Sequence, residues 1–238
     1  MTRAAGHSQL ALYSGPLQCC SYLPGRQSRS WFVDPSAALT PRHYDRLLAM
    51  GYRRSGGIVY RPACPGCQAC IPVRVPVEGF RLRRWARRNQ ILNQDLVMSW
   101  HQKGLSEEAF DLYRRYQRAR HVDGEMDYST PSEVEQFLFC DWLEPLVLEW
   151  RQEKRLVAAA VVDRTLSALS AVYSFFEPDL RQRGLGTHAI LCQLTLAVRW
   201  ERRWLYLGYW IKECPKMSYK SRFRPIEAFN GQEWHALK

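Results

Sequence analysis

The stretch that most constrains this 238-residue chain runs from about residue 146 to residue 208. Three strand-like runs, 146–150 (LVLEW), 156–162 (LVAAAVV) and 167–176 (SALSAVYSFF), are joined by short polar turns. Turns that short link antiparallel neighbours, and the near-continuous apolar character of the runs requires burial on both faces of their sheet. After Pro178 comes a polar loop, R-Q-R-G-L-G at 181–186. A helix is predicted from Thr187 to about Arg203, with Ile190, Leu191, Leu194, Ala197 and Val198 inward, and a strand follows at 204–208. Glycine at 184 and 186 lets the backbone approach an anion, and the unpaired N–H groups of the first helical turn point at it. The competing reading is a glycine turn that only tightens a helix start. A dinucleotide-binding fingerprint does not fit, because it needs a parallel βαβ unit and an acidic residue about 20 positions on.

Upstream the texture is looser. The first forty residues are rich in Ser, Gly, Pro and Arg and read as loop with one strand. Thr40-Pro41 opens a short helix with Tyr44, Leu47 and Leu48 on one face and Gly51 past its end. Residues 52–60 and 71–77 read as strands flanking a cysteine loop. The segment from 81 to about 93 is predicted to be a basic helix, and Ser106 starts another that carries Phe110, Tyr113 and Tyr116 to about His121. Thr130 to Glu133 is a capping box. A soft boundary is placed near residue 100, dividing 1–100, with the cysteine motif and the basic segment, from 101–238.

Charge narrows the partners. Thirty-four Lys and Arg against 23 Asp and Glu leave a net charge of +11, which favours a polyanion, although a basic surface that only confers solubility has the same sign. Arg81, Arg83, Arg84, Arg87 and Arg88 bracket Trp85, combining phosphate-pairing forks with a stacking surface. No apolar run approaches the roughly 18–20 residues that span a bilayer, and the first thirty residues hold no secretory-type apolar core. A cytoplasmic protein without a membrane partner is the expectation.

Of eight cysteines, Cys64, Cys67 and Cys70 form a C-x2-C-x2-C run, and Cys19-Cys20 is a vicinal pair upstream. Cys20 with the run would complete a four-thiolate set for zinc or an iron–sulfur cluster. Three reduced thiols in a Pro/Gly-punctuated turn is the alternative, since no second C-x2-C exists. Cys140, Cys192 and Cys214 lie singly and read as core or loop thiols.

Arg181, Gly184 and Gly186, placed between a buried meander and a buried helix, resemble the pyrophosphate loop of the GNAT acyltransferase fold. Acetyl-CoA, the commonest donor for that fold, accounts for the C-terminal half but not for the basic segment or the cysteines. Aminoacyl-tRNA, an activated ester on a large polyanion, accounts for all three. The chain as a whole resembles the bacterial aspartate/glutamate leucyltransferases, the leucyl-tRNA–protein transferases related to the eukaryotic arginyl-tRNA–protein transferases. The resemblance runs through CSYLP at 20–24, GYRRSGGIVYRPACPGCQACIPVR at 51–74 and Arg120-His121 with Gly124 and Met126. It continues through LSAVYSFFEP at 169–178, RGLGTHAIL at 183–191, LYLGYWI at 205–211 and KMSYKSRFRPIE at 216–227.

The resemblance implies an α+β protein: a GNAT-like acyltransferase domain, its antiparallel-rich sheet flanked by helices, plus a smaller N-terminal cysteine-containing domain. It implies transfer of Leu from leucyl-tRNA to proteins beginning with Asp or Glu, marking them for N-end rule degradation. Arginyl transfer and acetyl-CoA-dependent N-acetylation are the rival enzymatic readings, and a non-catalytic RNA-binding module with a metal knuckle is the third. On this reading Arg81, Arg84, Arg87, Arg88, Arg181, Arg183, Gly184, Gly186, Lys216 and Lys220 hold tRNA, with no role for DNA. Arg120, His121 and Tyr209 are candidates for the acceptor site, with surface solvation the alternative for the first two and core packing the alternative for Tyr209. The eukaryotic relatives carry C-x-x-C near the N-terminus, where this chain has Cys20 followed by Leu23, so one expected ligand is missing and Cys70 is the substitute. The chemistry needs no cofactor, and no residue order points to a covalent intermediate.

Overall fold

The computed structural model describes residues 10–120 and 130–237. In chain order these form β1 (Leu12–Ser14), β2 (Gln18–Cys19), β3 (Gln27–Ser28), β4 (Ser30–Val33), α1 (Pro41–Ala49), β5 (Arg53–Ser55), β6 (Ile58–Pro62) and β7 (Ile71–Pro76). There follow α2 (Arg84–Leu92), β8 (Leu96–His101), α3 (Glu107–Arg120), α4 (Pro131–Leu138), β9 (Leu146–Gln152), β10 (Arg155–Arg164) and β11 (Ala168–Phe176). The chain ends with α5 (Leu185–Arg199), β12 (Trp204–Trp210), β13 (Glu227–Phe229) and β14 (Trp234–Ala236). No described helix is long and apolar enough to cross a membrane.

β9, β10 and β11 form the expected antiparallel meander. Ala158, Ala160 and Val162 face a layer built on α2 and α5, while Ala159 and Val161 face α3 and α4. Both sides of the strand are therefore covered, which is what its unbroken apolar run requires. Helix α5 then crosses over and delivers β12 parallel to β11, the one parallel pair among the described strands. An antiparallel meander closed by a helical crossover and a parallel strand is the GNAT-like α+β core.

The sheet does not respect a division at residue 100. Its order is β14-β13-β7-β12-β11-β10-β9-β8, so β7 lies between the C-terminal strands β13 and β12, and β8, which itself spans residue 100, forms the far edge. The smaller N-terminal unit is the sheet β1-β4-β6-β5 with α1 packed on it through Tyr44, Leu47 and Leu48. Thr40 caps α1 by accepting from the His43 N–H at 3.3 Å, and Thr130 and Glu133 complete the capping box of α4.

The structure differs from the sequence reading in several places, beginning with the first forty residues, which hold β1 to β4 rather than a single strand. Residues 52–60 are not one strand but β5 and the start of β6, turned at Gly56, whose φ of +56° suits glycine and whose Cβ would strike Gln136 O. Helix α5 begins at Leu185 rather than Thr187 and stops at Arg199 rather than Arg203. Gly184, left-handed at φ +60°, both ends the preceding 3-10 turn (Pro178–Arg183) and caps the helix.

Candidate active site

β11 and β12 pair only from Ala168 to Ser170 against Trp204 to Tyr206. Both strands continue, to Phe176 and Trp210, without pairing each other, so the parallel sheet splits open at its centre. Beyond the split β12 also bulges against β7 between Tyr206 and Tyr209, around Gly208 at φ +74°.

The wedge in this split is Arg53. Its neighbour Arg54 points into the protein, where Nε and Nη2 form a fork on Asp163 (2.9 and 2.6 Å) at the end of β10. Alternation along β5 then sends Arg53 to the opposite side. There Arg53 Nη2 donates to Val172 O at 3.1 Å, and Nη1 lies so close to Gly208 that a Cβ there would overlap it. Tyr209 continues the floor, its hydroxyl donating to Gly51 O at 3.1 Å. Lys220 closes the floor from below: Nζ donates to Tyr209 O at 2.5 Å. Burial, reinforced by the charge of Arg53, brings the Lys220 ammonium down to about 7.

Aromatic rings wall the mouth. Arg120, at the C-terminal end of α3, lies 5.8 Å over both Tyr116 and Phe176. Tyr173 accepts from Gln117 Nε2 at 3.0 Å. The exposed Tyr219 sits within electrostatic reach of Tyr116, Arg53 and Arg120. Of the expected acceptor residues, then, Arg120 is at this mouth and Tyr209 is in its floor. His121, Gly124 and Met126 lie outside the described residues.

The glycine turn opens beside the same split, since Gly186 packs on Phe176, with Cε1 3.0 Å from where a Cβ would stand. Asn89 of α2 and Asn93, which caps the C-terminus of that helix, donate to Arg183 O at 3.0 and 2.9 Å, clamping the basic helix against the turn. Ala86 faces inward, which leaves Arg84, Arg87 and Arg88 exposed on the outer side of α2. Arg81, Arg181 and Lys216 are also exposed. Arg81, Arg83 and Arg224 line a surface cleft of about 450 Å³ beside Pro225 and Leu237.

Three expectations are corrected here. Arg183 does not face outward: it is buried, ion-paired to Asp95 and donating to Asn93 Oδ1 and Leu92 O, each at 3.0 Å. Lys220 is buried too. The segment Pro215–Arg222 is a 3-10 helix, in which residues three apart share a side, so Met217, Lys220 and Phe223 turn inward together. Trp85 is not an open stacking platform either, being set edge-on to Phe223 at 5.2 Å and covered by Arg222 at 4.7 Å.

Cys20, Cys67 and Cys70 pack with Leu23, Ile211 and Cys214. The thiol of Cys70 is pushed up to about 12 by burial and by the neighbouring Cys64, Cys20 and Cys67. That of Cys67 is lowered by the Ala69 N–H and by Arg26, whose Nη1 donates to it at 3.2 Å. Among the described residues no group of His, Cys, Asp or Glu is arranged to hold a metal ion. The four expected thiols gather, with the unexpected addition of Cys214, beside Leu23 and Ile211.

Sequence reasoning missed Arg53 and Gly208. Both left a signal: two consecutive Arg in a short strand must point opposite ways, and an isolated Gly inside the apolar strand WLYLGYW marks a bulge or a close approach.

Two family models match in tandem: Arginine-tRNA-protein transferase, N terminus, over residues 18–88, and Arginine-tRNA-protein transferase, C terminus, over residues 108–230. The aspartate/glutamate leucyltransferase of Nitrosococcus oceani is 45% identical over 227 residues, 95% of each chain. That of Pseudomonas entomophila is 44% identical over 97% of this chain and 98% of its own. Among solved structures, L-PGS from Bacillus licheniformis superimposes with a TM-score of 0.48 at 10% identity, over 70% of this chain and 62% of that one.

Proposed function

The chain belongs to the arginine-tRNA-protein transferase family and, within it, to the aspartate/glutamate leucyltransferases; from that premise we propose that it moves Leu from leucyl-tRNA to the N-terminal α-amine of proteins beginning with Asp or Glu, marking them for the N-end rule pathway. The single observation that carries the reading is the split between β11 and β12, floored by cations and flanked by a glycine turn clamped to a basic helix.

The reaction is aminolysis of an ester. The α-amine nitrogen attacks the ester carbonyl carbon and a C–N bond forms. The bond from that carbon to the terminal ribose oxygen breaks, and the proton leaving the amine ends on that oxygen. An α-ammonium has a reference pKa of about 8, so its lone pair must be exposed at neutral pH. Arg53 and Lys220 at the floor disfavour a third positive charge nearby and so shift the amine toward its neutral, nucleophilic form. The ester is already activated, and the backbone groups along the separated strands offer positions to align donor and acceptor, so positioning supplies most of the acceleration. The chain itself needs no cofactor for this chemistry.

The tRNA is placed along the outer side of α2, on Arg81, Arg84, Arg87 and Arg88, with Arg181, Gly184, Gly186 and Lys216 nearer its charged end. Association with charged tRNA places the enzyme in the cytoplasm. The test is transfer of labelled Leu from leucyl-tRNA to a peptide beginning with Asp, run in parallel with arginyl-tRNA and with acetyl-CoA. Label on the peptide from leucyl-tRNA alone is expected. Transfer only from arginyl-tRNA would reassign the donor, and acetylation without either would overturn the reading.

A further inference from the structure

Most cations in the interior are matched. Arg54 is forked onto Asp163 with both side chains fully buried. Arg74 pairs with Glu227 at 2.8 Å and lies between the rings of Trp204 and Trp234. Arg183 pairs with Asp95. Arg53 and Lys220 break the pattern: neither is ion-paired with a carboxylate among the described residues. Their hydrogen bonds instead run to backbone carbonyls on the two banks of the split, Val172 O and Tyr209 O.

Two positive charges in one poorly solvated gap repel each other, and holding them there is unfavourable unless a negative partner completes them. The rest of the molecule supplies such partners from its own sequence. No described residue supplies one here, and the mouth framed by Arg120, Tyr116 and Tyr219 leaves the gap open to a partner from outside.

We propose that the side-chain carboxylate of the acceptor's N-terminal Asp or Glu is the missing partner, docking on the guanidinium of Arg53 with the ammonium of Lys220 behind it. This rests on the leucyl-transfer reading above and assigns its acceptor specificity to two residues. A planar guanidinium fork matches a carboxylate better than a point charge does. Asp and Glu both fit because the charge is what the gap lacks. Asn and Gln have nearly the same shape but leave the two cations unmatched, so the site rejects them by charge rather than by size. Gly208 belongs to the device, since any side chain there would displace Arg53 from its place.

The experiment compares kcat/KM for otherwise identical peptides beginning with Asp, Glu, Asn and Gln, at saturating leucyl-tRNA, for the wild type, Arg53→Gln and Lys220→Met. Each substitution is expected to lower the Asp-over-Asn ratio by about 30-fold or more. A merely structural role would lower both peptides together and keep the ratio, which overturns the proposal. Lys220→Met keeps the test valid if Arg53→Gln fails to fold. Calorimetric binding of the Asp and Asn peptides to the wild type without RNA separates the two levels of inference. Selective Asp binding that depends on Arg53, with no Leu transfer, sinks the transferase reading and leaves this one standing. Leu transfer with an intact ratio in both variants does the reverse.

Discussion

The protein carries positive charge in two physical states, and they behave as different materials. On α2, Arg84, Arg87 and Arg88 stand in solvent, where each is hydrated and none needs a partner. In the split, Lys220 is buried and Arg53 half-buried, and both hydrogen-bond only backbone oxygens among the described residues. Exposed cations attract a polyanion through many weak, salt-screened contacts that tolerate the loss of any one. Cations held in the gap interact with one charge, strongly, and lose it all at once. The first arrangement suits a tRNA stem of any sequence, and the second suits one carboxylate. A single net charge of +11 hides this division.

The comparison is broken most severely at Gly208. A Cβ there meets Arg53 and the backbone sits at φ +74°, so Gly208→Ala both strains the bulge and expels the guanidinium. We expect Leu transfer to Asp-peptides to fall by about 100-fold or more, with a stability loss of about 1–3 kcal/mol from the left-handed backbone. Denaturant melts and transfer rates measured on the same preparation check this, and an unchanged rate would show that Arg53 does not need its seat. Gly186→Val comes next. Its Cβ would press on Phe176 at 3.0 Å, in the first turn of α5 and beside the mouth. Transfer is expected to drop about 50-fold while the melting midpoint moves by only a few degrees, since overpacking at one contact costs about 1–3 kcal/mol.

What the sequence disclosed follows the same division between local and distant causes. Thr40-Pro41 and the Thr130–Glu133 box are complete within four residues of chain, and both helices start where those residues say. The meander was legible because Ala158 to Val162 are apolar at every position, a pattern that only a strand covered on both faces satisfies. The turn at Gly56 was missed because its cause is remote: Gln136, eighty residues on, packs where a side chain would go. Lys220 was assigned to tRNA together with Lys216 because it lies among basic residues in a segment whose inward side no local pattern marks. The 3-10 geometry that turns it inward is set by Phe223 and Met217 seeking the core. Arg53 was one Arg in a chain rich in them, and nothing nearby in sequence shows that Asp163 would claim Arg54 and leave Arg53 without a carboxylate.

Removing the exposed charge should have the opposite signature. The triple replacement Arg84→Gln, Arg87→Gln and Arg88→Gln is expected to raise KM for leucyl-tRNA about 20-fold at 0.15 M salt. It should also flatten the slope of log affinity against log salt by about 2–3, about 0.7–0.9 for each of the three lost phosphate contacts. The Asp-over-Asn ratio should not move. Filter binding across a salt series measures the slope, and an unchanged slope would place the tRNA elsewhere on the surface. A ratio that moved with it would dissolve the distinction between the two kinds of charge.

The smallest effect is also the most selective. Burial and the charge of Arg53 hold the Lys220 ammonium near 7 instead of its ordinary 10.5. Between pH 6 and pH 8 the free enzyme therefore passes from mostly charged to mostly neutral at Lys220, and attraction for the acceptor carboxylate weakens as pH rises. The incoming α-amine titrates over the same range in the opposite sense, becoming more nucleophilic, so a simple rate profile mixes the two. The ratio of kcat/KM for Asp over Asn peptides cancels the amine, which both peptides share. That ratio should fall by about three- to tenfold from pH 6 to pH 8, reporting the free enzyme. It should be flat in Lys220→Met, while tRNA binding stays level over the same range in both proteins. The same depressed acidity has a stability counterpart with a fixed sign. Between about pH 7 and 10.5 the unfolded chain binds the proton that folded Lys220 has released, so the contribution of this group to stability rises with pH across that window. A wild-type ratio that held constant from pH 6 to pH 8 would mean that Lys220 keeps its proton or does not act on the acceptor, and Arg53 alone would carry the selection.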